Sequence, residues 1–132
     1  MLIRATRANY QPTLVNAAAF DALWRQFDPV RHVPVWEGDP RTGWFSWEGV
    51  SPDGPPAVLC TADVSLTRQG LRWGVEFTNG RHRTRWLMQE GLVRLPIGLT
   101  DDGLLIAVEM GLNPRRLPAD EALPFAPKSS RW

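Results

Sequence analysis

One short stretch of this chain gathers the residue types needed to handle a phosphate: Glu76, then Gly80, Arg81, His82, Arg83 and Thr84. A glycine-led turn into a helix presents unpaired backbone N–H groups, and these seat anions. Arg81 and Arg83 can neutralise phosphate charge, since the guanidinium fork matches phosphate oxygens. His82 can donate to a phosphate oxygen or move a proton near neutral pH. Glu76, upstream on a strand, is the candidate catalytic or metal-holding acid. Two plainer readings stand beside these. The arginines can fan into solvent or pair with carboxylates from elsewhere in the chain. Glu76 can be a surface strand residue paired with Arg72 or Arg85.

The elements that must position these groups follow from pattern. Trp73, Val75 and Phe77 alternate with Gly74, Glu76 and Thr78, the period of a half-buried strand. Asn79-Gly80 breaks it, because both residues tolerate positive φ. A helix is expected from Arg81 to Glu90, with Gly91 as its stop. Val93 to Leu99 reads as extended, and Pro96 suggests an edge strand or irregular pairing. Arg81, His82, Arg83 and Arg85 crowd the positive end of that helix, where cations cost stability unless something negative offsets them.

Strand, Asn79-Gly80-Arg81-His82-Arg83, helix: this order resembles the signature of the ParB/sulfiredoxin superfamily, and within it most nearly the plasmid fertility inhibition factors. Gly80 and Arg83 match both the Gly-Cys-His-Arg turn of sulfiredoxins and the Gly-Glu-Arg-Arg turn of ParB proteins. His82 matches the former. Arg81 stands where sulfiredoxins carry their catalytic cysteine, so sulfinic acid repair by that route is excluded. The resemblance spans about Ser65 to Leu99 and is loose elsewhere. It implies a nucleotide, ATP or another NTP, held at Gly80, Arg81, His82, Arg83 and Thr84. Catalytic roles then fall to Glu76, His82 and Arg83, with Mg²⁺ as a companion ion. It further implies Mg²⁺-dependent ATPase and DNase chemistry that blocks conjugative transfer of another element. The alternative is a protein-binding inhibitor of a conjugation or type IV secretion component with no chemistry of its own. A ParB-like DNA binder is a third option.

Composition bounds the rest. At 132 residues the chain makes one domain, and 43% hydrophobic with 22% charged content describes a globular one. A net charge of +1 gives no bulk nucleic-acid signature. Fourteen of the fifteen basic residues are Arg, which codon bias in a GC-rich genome explains for the most part. Cys60, the lone cysteine, lies in an apolar run and reads as a small hydrophobe. His32 and His82 lie too far apart in sequence for a metal motif, and no glycine-rich loop with lysine provides a P-loop. No stretch approaches a membrane span, and no apolar signal segment opens the chain, so a cytoplasmic location is expected.

The remaining chain supplies scaffold. Leu2 to Thr6 suggests a short strand and Asn9 to Thr13 a loop. Asn16 is a good cap for a helix from Ala17 to Phe27, with Phe20, Leu23, Trp24 and Phe27 as its apolar stripe and Asp21–Arg25 as an i, i+4 pair. Asp28-Pro29 ends it. Val33 to Trp36 reads as extended and Glu37 to Gly43 as turns. Gly43 to Glu48 suggests a core strand or, less simply, an aromatic stacking platform. Val50 to Pro56 is loop. Ala62 to Leu66 and Leu71 to Phe77 form a hairpin through Arg68-Gln69-Gly70. Thr100-Asp101-Asp102 starts a helix with Leu104, Leu105, Val108 and Leu112 as its stripe, a strand at Leu104 to Val108 being the alternative. Prolines after Leu117 rule out a further long helix. The expected fold class is α/β (α+β): a compact single domain over residues 1–127, a small mixed sheet with flanking helices, and a tail at 128–132.

Overall fold

Asn16 ends one strand and starts one helix. In the computed structural model, which describes residues 1–38, 43–118 and 121–122, β2 (Gln11–Asn16) runs directly into α1 (Ala17–Phe27). The Asn16 side chain accepts the Ala19 N–H at 2.9 Å, one of the donors the helix leaves unpaired. Phe20 and Trp24 of the expected stripe are fully buried. The polarity of Asn9 to Thr13 predicts a loop, yet Gln11 to Thr13 belong to β2. Pairing overrides local composition here, because β2 lies between β7 (Arg94–Leu99) and β8 (Arg115–Arg116), antiparallel to both.

The fold is a mixed α+β arrangement of three helices and three short sheets among the described residues. One sheet is mixed: β1 (Leu2–Arg4) runs parallel to β4 (Val58–Cys60), which pairs antiparallel with β3 (Phe45–Ser46). The third is the expected hairpin, β5 (Val64–Gln69) with β6 (Arg72–Phe77), paired from Val64↔Phe77 to Gln69↔Arg72. Its turn is tighter than the sequence suggests: Arg68 and Gln69 stay in the strand, and Gly70 turns at φ +63°. β7 stands at the end of its sheet, as Pro96 suggests, and its outer edge meets the chain before β5 through the Gly98 N–H to Ala62 carbonyl bond at 2.7 Å. The core lies where the sheets and helices meet, around Trp24, Trp86, Leu59, Leu87, Leu95 and Ile97.

Helix α3 (Asp101–Glu109) forms where expected, with Thr100 Oγ1 accepting the Gly103 N–H at 3.0 Å and Asp101 and Asp102 in the first turn. Its buried face differs from the expected stripe. Gly103, Ala107 and Met110 face inward, and of the expected stripe Leu112, past the helix end, is buried, whereas Leu105 and Val108 are exposed. Small residues let the helix approach β5 and β7 closely, so the face is chosen by fit as well as by hydrophobicity. Val33 to Trp36 joins no strand, and of Gly43 to Glu48 only Phe45–Ser46 does. The turn-rich expectation at 39–42 and the tail at 128–132 lie outside the described residues. No helix among the described residues is long and apolar enough to cross a membrane.

Candidate functional site

The turn after β6 is built around a buried carboxylate. Thr78 donates its N–H to the Asp63 carbonyl at 3.0 Å. Asn79 Nδ2 donates to Asp63 Oδ2 at 2.9 Å, while the Asp63 N–H donates to Asn79 Oδ1 at 3.2 Å. Gly80 follows at φ +87°, and a Cβ there would fall 2.5 Å from the Ala62 Cβ. Both backbone conformation and close approach therefore require glycine. Helix α2 (Arg81–Gln89) begins at once, without a side-chain cap. Thr84 is the first residue whose N–H finds a helical carbonyl, that of Gly80 at 2.9 Å. The N–H groups of Arg81, His82 and Arg83 lie upstream of that bond and have no helical partner.

The basic residues at this end have distinct fates. Arg83 is buried, and its Nη1 donates to the Cys60 and Thr61 carbonyls at 2.5 and 2.8 Å. Burial pushes its pKa down, against the influence of Cys60 and Asp63 nearby. Arg85, also buried, donates through Nε to the Val33 carbonyl and through Nη2 to Asp21. Its guanidinium lies 5.5 Å from the Trp24 ring centroid. Arg81 is half-buried and donates to the Arg31 carbonyl at 3.1 Å. His82 is exposed, its ring stacked at 6.2 Å on Trp36. Thr84 is buried and returns its hydroxyl to the Gly80 carbonyl at 2.9 Å.

Arg81, Arg85 and Gln89 recur every four residues and so form one stripe of α2. Residues 31–36 lie along that stripe as a strap. Arg81 holds the Arg31 carbonyl, Arg85 the Val33 carbonyl, and Gln89 both the N–H and carbonyl of Trp36 at 2.8 Å each. The stripe substitutes side-chain donors for a strand partner, which is why Val33 to Trp36 is held without belonging to a sheet.

Asp21 completes this side. Its carboxylate takes Arg85 Nη2 and, at 2.7 Å, the Nε2 of His32, whose ring packs 4.7 Å from Trp24. Burial works against ionisation of Asp21, but hydrogen bonds and charge from Arg85 and His32 outweigh it and hold the carboxyl below its ordinary value. The expected Asp21–Arg25 pairing is therefore replaced by long-range partners.

Sequence reasoning missed Asp63. Besides Asn79, its Oδ2 accepts the Thr6 hydroxyl and lies 3.8 Å from Arg7 Nε, while its Oδ1 is buried with no hydrogen-bond partner among the described residues. The side chain is 0% exposed. An aspartate inside the apolar run Thr61 to Val64 is the signal that could have found it, since a carboxylate at a buried strand position needs dedicated donors. Glu76 pairs with Ser65 across the hairpin, on the face opposite Val64, Leu66 and Val75. It is exposed and makes no ion pair among the described residues. Ser65 Oγ is 3.0 Å from Tyr10 Oη, so Thr6 and Tyr10 bring the segment after β1 across both Asp63 and the Glu76 face.

The structure thus places Asn79, Gly80, Arg81 and His82 at the exposed end of α2, while Glu76 stands upstream on the outer face of the hairpin, without a hydrogen bond to them among the described residues. It turns the side chains of Arg83 and Thr84 inward. The aromatics of Gly43 to Glu48 pack in: Phe45 is buried against Trp86, and Trp44 sits between Trp36 and Trp86. Cys60 is a free, half-buried thiol. Among the described residues no group of three or more His, Cys, Asp or Glu could hold a metal ion. No protein-family model matches the chain. Comparison with curated proteins and with solved structures likewise gives no match.

Proposed function

We propose that this protein binds the phosphates of a nucleotide at the Gly80 turn and acts in the cytoplasm as a ParB/sulfiredoxin-like fertility inhibition factor, blocking conjugative transfer of another element. The observation that carries the reading is the conformation of the turn. Gly80, left-handed and pressed on Ala62, opens α2 with three N–H groups free of helical partners, and exposed His82 and half-buried Arg81 flank them. The resemblance of Asn79 to Arg83 to the superfamily signature supplies the nucleotide and the biological role.

The residues fit the phosphate end of ATP. Backbone donors at Arg81 to Arg83 would hold phosphate oxygens, Arg81 and His82 would add charge and a proton donor, and Glu76 would orient water or help hold Mg²⁺. Bound ATP supplies a phosphoanhydride whose hydrolysis can be coupled to DNA cleavage. With no acidic cluster among the described residues, Mg²⁺ would rest mainly on the phosphates. Arg83 and Thr84 act here by shaping the turn, because Arg83 Nη1 and the Thr84 hydroxyl are committed to carbonyls. Mg²⁺-dependent ATP hydrolysis and DNA degradation are the test: both are lost in Glu76→Ala and in Arg81→Ala/His82→Ala. Full activity in these variants, which touch no fully buried residue, overturns the site assignment.

A protein-binding inhibitor of a conjugation or type IV secretion component is the second reading. A cluster of exposed apolar side chains favours it. The Arg68–Glu109 ion pair ties the hairpin tip to the end of α3, and Leu71, Leu105 and Val108 stand there 101%, 66% and 62% exposed. Inhibition of transfer that survives Glu76→Ala but not Leu105→Asp selects this reading.

A further inference from the structure

The segment after β1 also lines an open cleft of about 630 Å³, within the range of small-molecule sites. Ile3, Pro12 and Leu117 give it apolar walls, and two of these, Ile3 and Leu117, are themselves buried. Arg4 and Arg7, both exposed, belong to its lining. Gly80 to Thr84 do not line it. The positive charge here is only partly compensated. Arg7 lies 3.8 Å from Asp63, whose carboxylate is already bonded to Thr6 and Asn79, and Arg4 makes no ion pair among the described residues. Among the described residues on the β2–β8 side, Asp101 and Glu121 are paired with Arg116 and Arg115.

We propose that this cleft binds a small organic anion, a carboxylate or phosphate ester with an apolar body, as a site separate from the Gly80 turn. An apolar body displaces water from the Ile3, Pro12 and Leu117 walls, and the anionic head meets the guanidinium forks of Arg4 and Arg7 at the lining. A free inorganic ion would leave the apolar walls wet, and a neutral apolar ligand would leave the arginines without a counter-charge. Thr6 and Arg7 reach Asp63, so occupancy of the cleft bears on the carboxylate that fixes Asn79.

Anilinonaphthalene sulfonate, an aromatic anion, serves as the fluorescent probe on the full chain. The expected result is saturable one-to-one binding that weakens about tenfold in Arg7→Ala, as loss of one charge-assisted contact implies. Ala8→Trp, at an exposed position of the lining, should block it. Binding should persist in Leu105→Ser, which separates the cleft from the exposed apolar cluster. Hexanoate and phenyl phosphate then compete in turn: displacement by the first alone assigns an acyl carboxylate, by the second alone a phosphate ester. Probe binding unchanged in Arg7→Ala and Ala8→Trp overturns the proposal. So does displacement by inorganic phosphate as effective as by either organic anion, since the apolar body would then contribute nothing. Circular dichroism confirms that each variant is folded, and ATP binding at the Gly80 turn has no part in the readout.

Discussion

Asp63 and Asn79 hold each other twice, backbone N–H to side-chain oxygen in one direction and side-chain amide to carboxylate in the other. Asp63 immediately precedes β5 and Asn79 lies two residues past the end of β6, so their pairing closes the base of the hairpin where β6 stops and α2 starts. Gly80 can then enter against Ala62 in the left-handed region. The candidate anion site is a consequence of this lock.

Gly80→Ala therefore combines the left-handed penalty with steric overlap, a cost of about 2–4 kcal/mol. Thermal unfolding followed by circular dichroism should show a drop of at least about 6 °C. An unchanged midpoint would mean that the turn relaxes freely and is not locked.

Asp63→Ala leaves Asn79 and the Thr6 hydroxyl without their shared acceptor, at about 2–4 kcal/mol. Urea unfolding measures this directly. If the variant is as stable as the parent, the carboxylate is a burden on the fold, and a purely functional role for Asp63 becomes the better account.

The Asp21 carboxyl is held below its ordinary value of 3.8, so the stability it lends is complete above that value and drains away as pH falls through the lower folded value. Asp21→Asn should cost about 1–3 kcal/mol at neutral pH and flatten the acid limb of the stability curve. Urea unfolding of both proteins between pH 2 and pH 7, about the carboxylate range, checks the sign. Parallel curves contradict it.

Gln89 grips both polar groups of the Trp36 backbone. In Gln89→Ala the strap should loosen at this end, and amide exchange of Trp36 should accelerate about tenfold while that of the Arg81–Gln89 interior is unchanged. Equal acceleration along α2 would show that the strap is part of the helix's own stability.

The sequence makes legible what depends on local chemistry. Asn16, Thr100 and Gly80 announce their helices because caps and left-handed turns are chosen by residue type at one position. The β5–β6 hairpin follows from alternation. The fate of the arginines was beyond such reading. Arg83 and Arg85 sit within a run of consecutive buried residues from Arg83 to Leu87, and their acceptors are carbonyls and an aspartate distant in sequence. A basic helix start is ambiguous between a phosphate seat and a set of buried clamps until those acceptors are placed. β2 is hidden for a related reason: Gln11 to Thr13 are made extended by pairing with β7, and Thr13 with β8 as well. Asp63 and the segment after β1 meet only in three dimensions, so neither marks the site alone.

Calorimetric titration of ATP with Mg²⁺ into the parent protein and Arg81→Ala/His82→Ala tests the central claim most directly. The account predicts one-site binding in the parent and affinity reduced at least about tenfold in the variant, with Glu76→Ala binding normally while hydrolysis is lost. Absence of nucleotide binding in the parent, or equal affinity in Arg81→Ala/His82→Ala, contradicts the claim that the Gly80 turn holds phosphate.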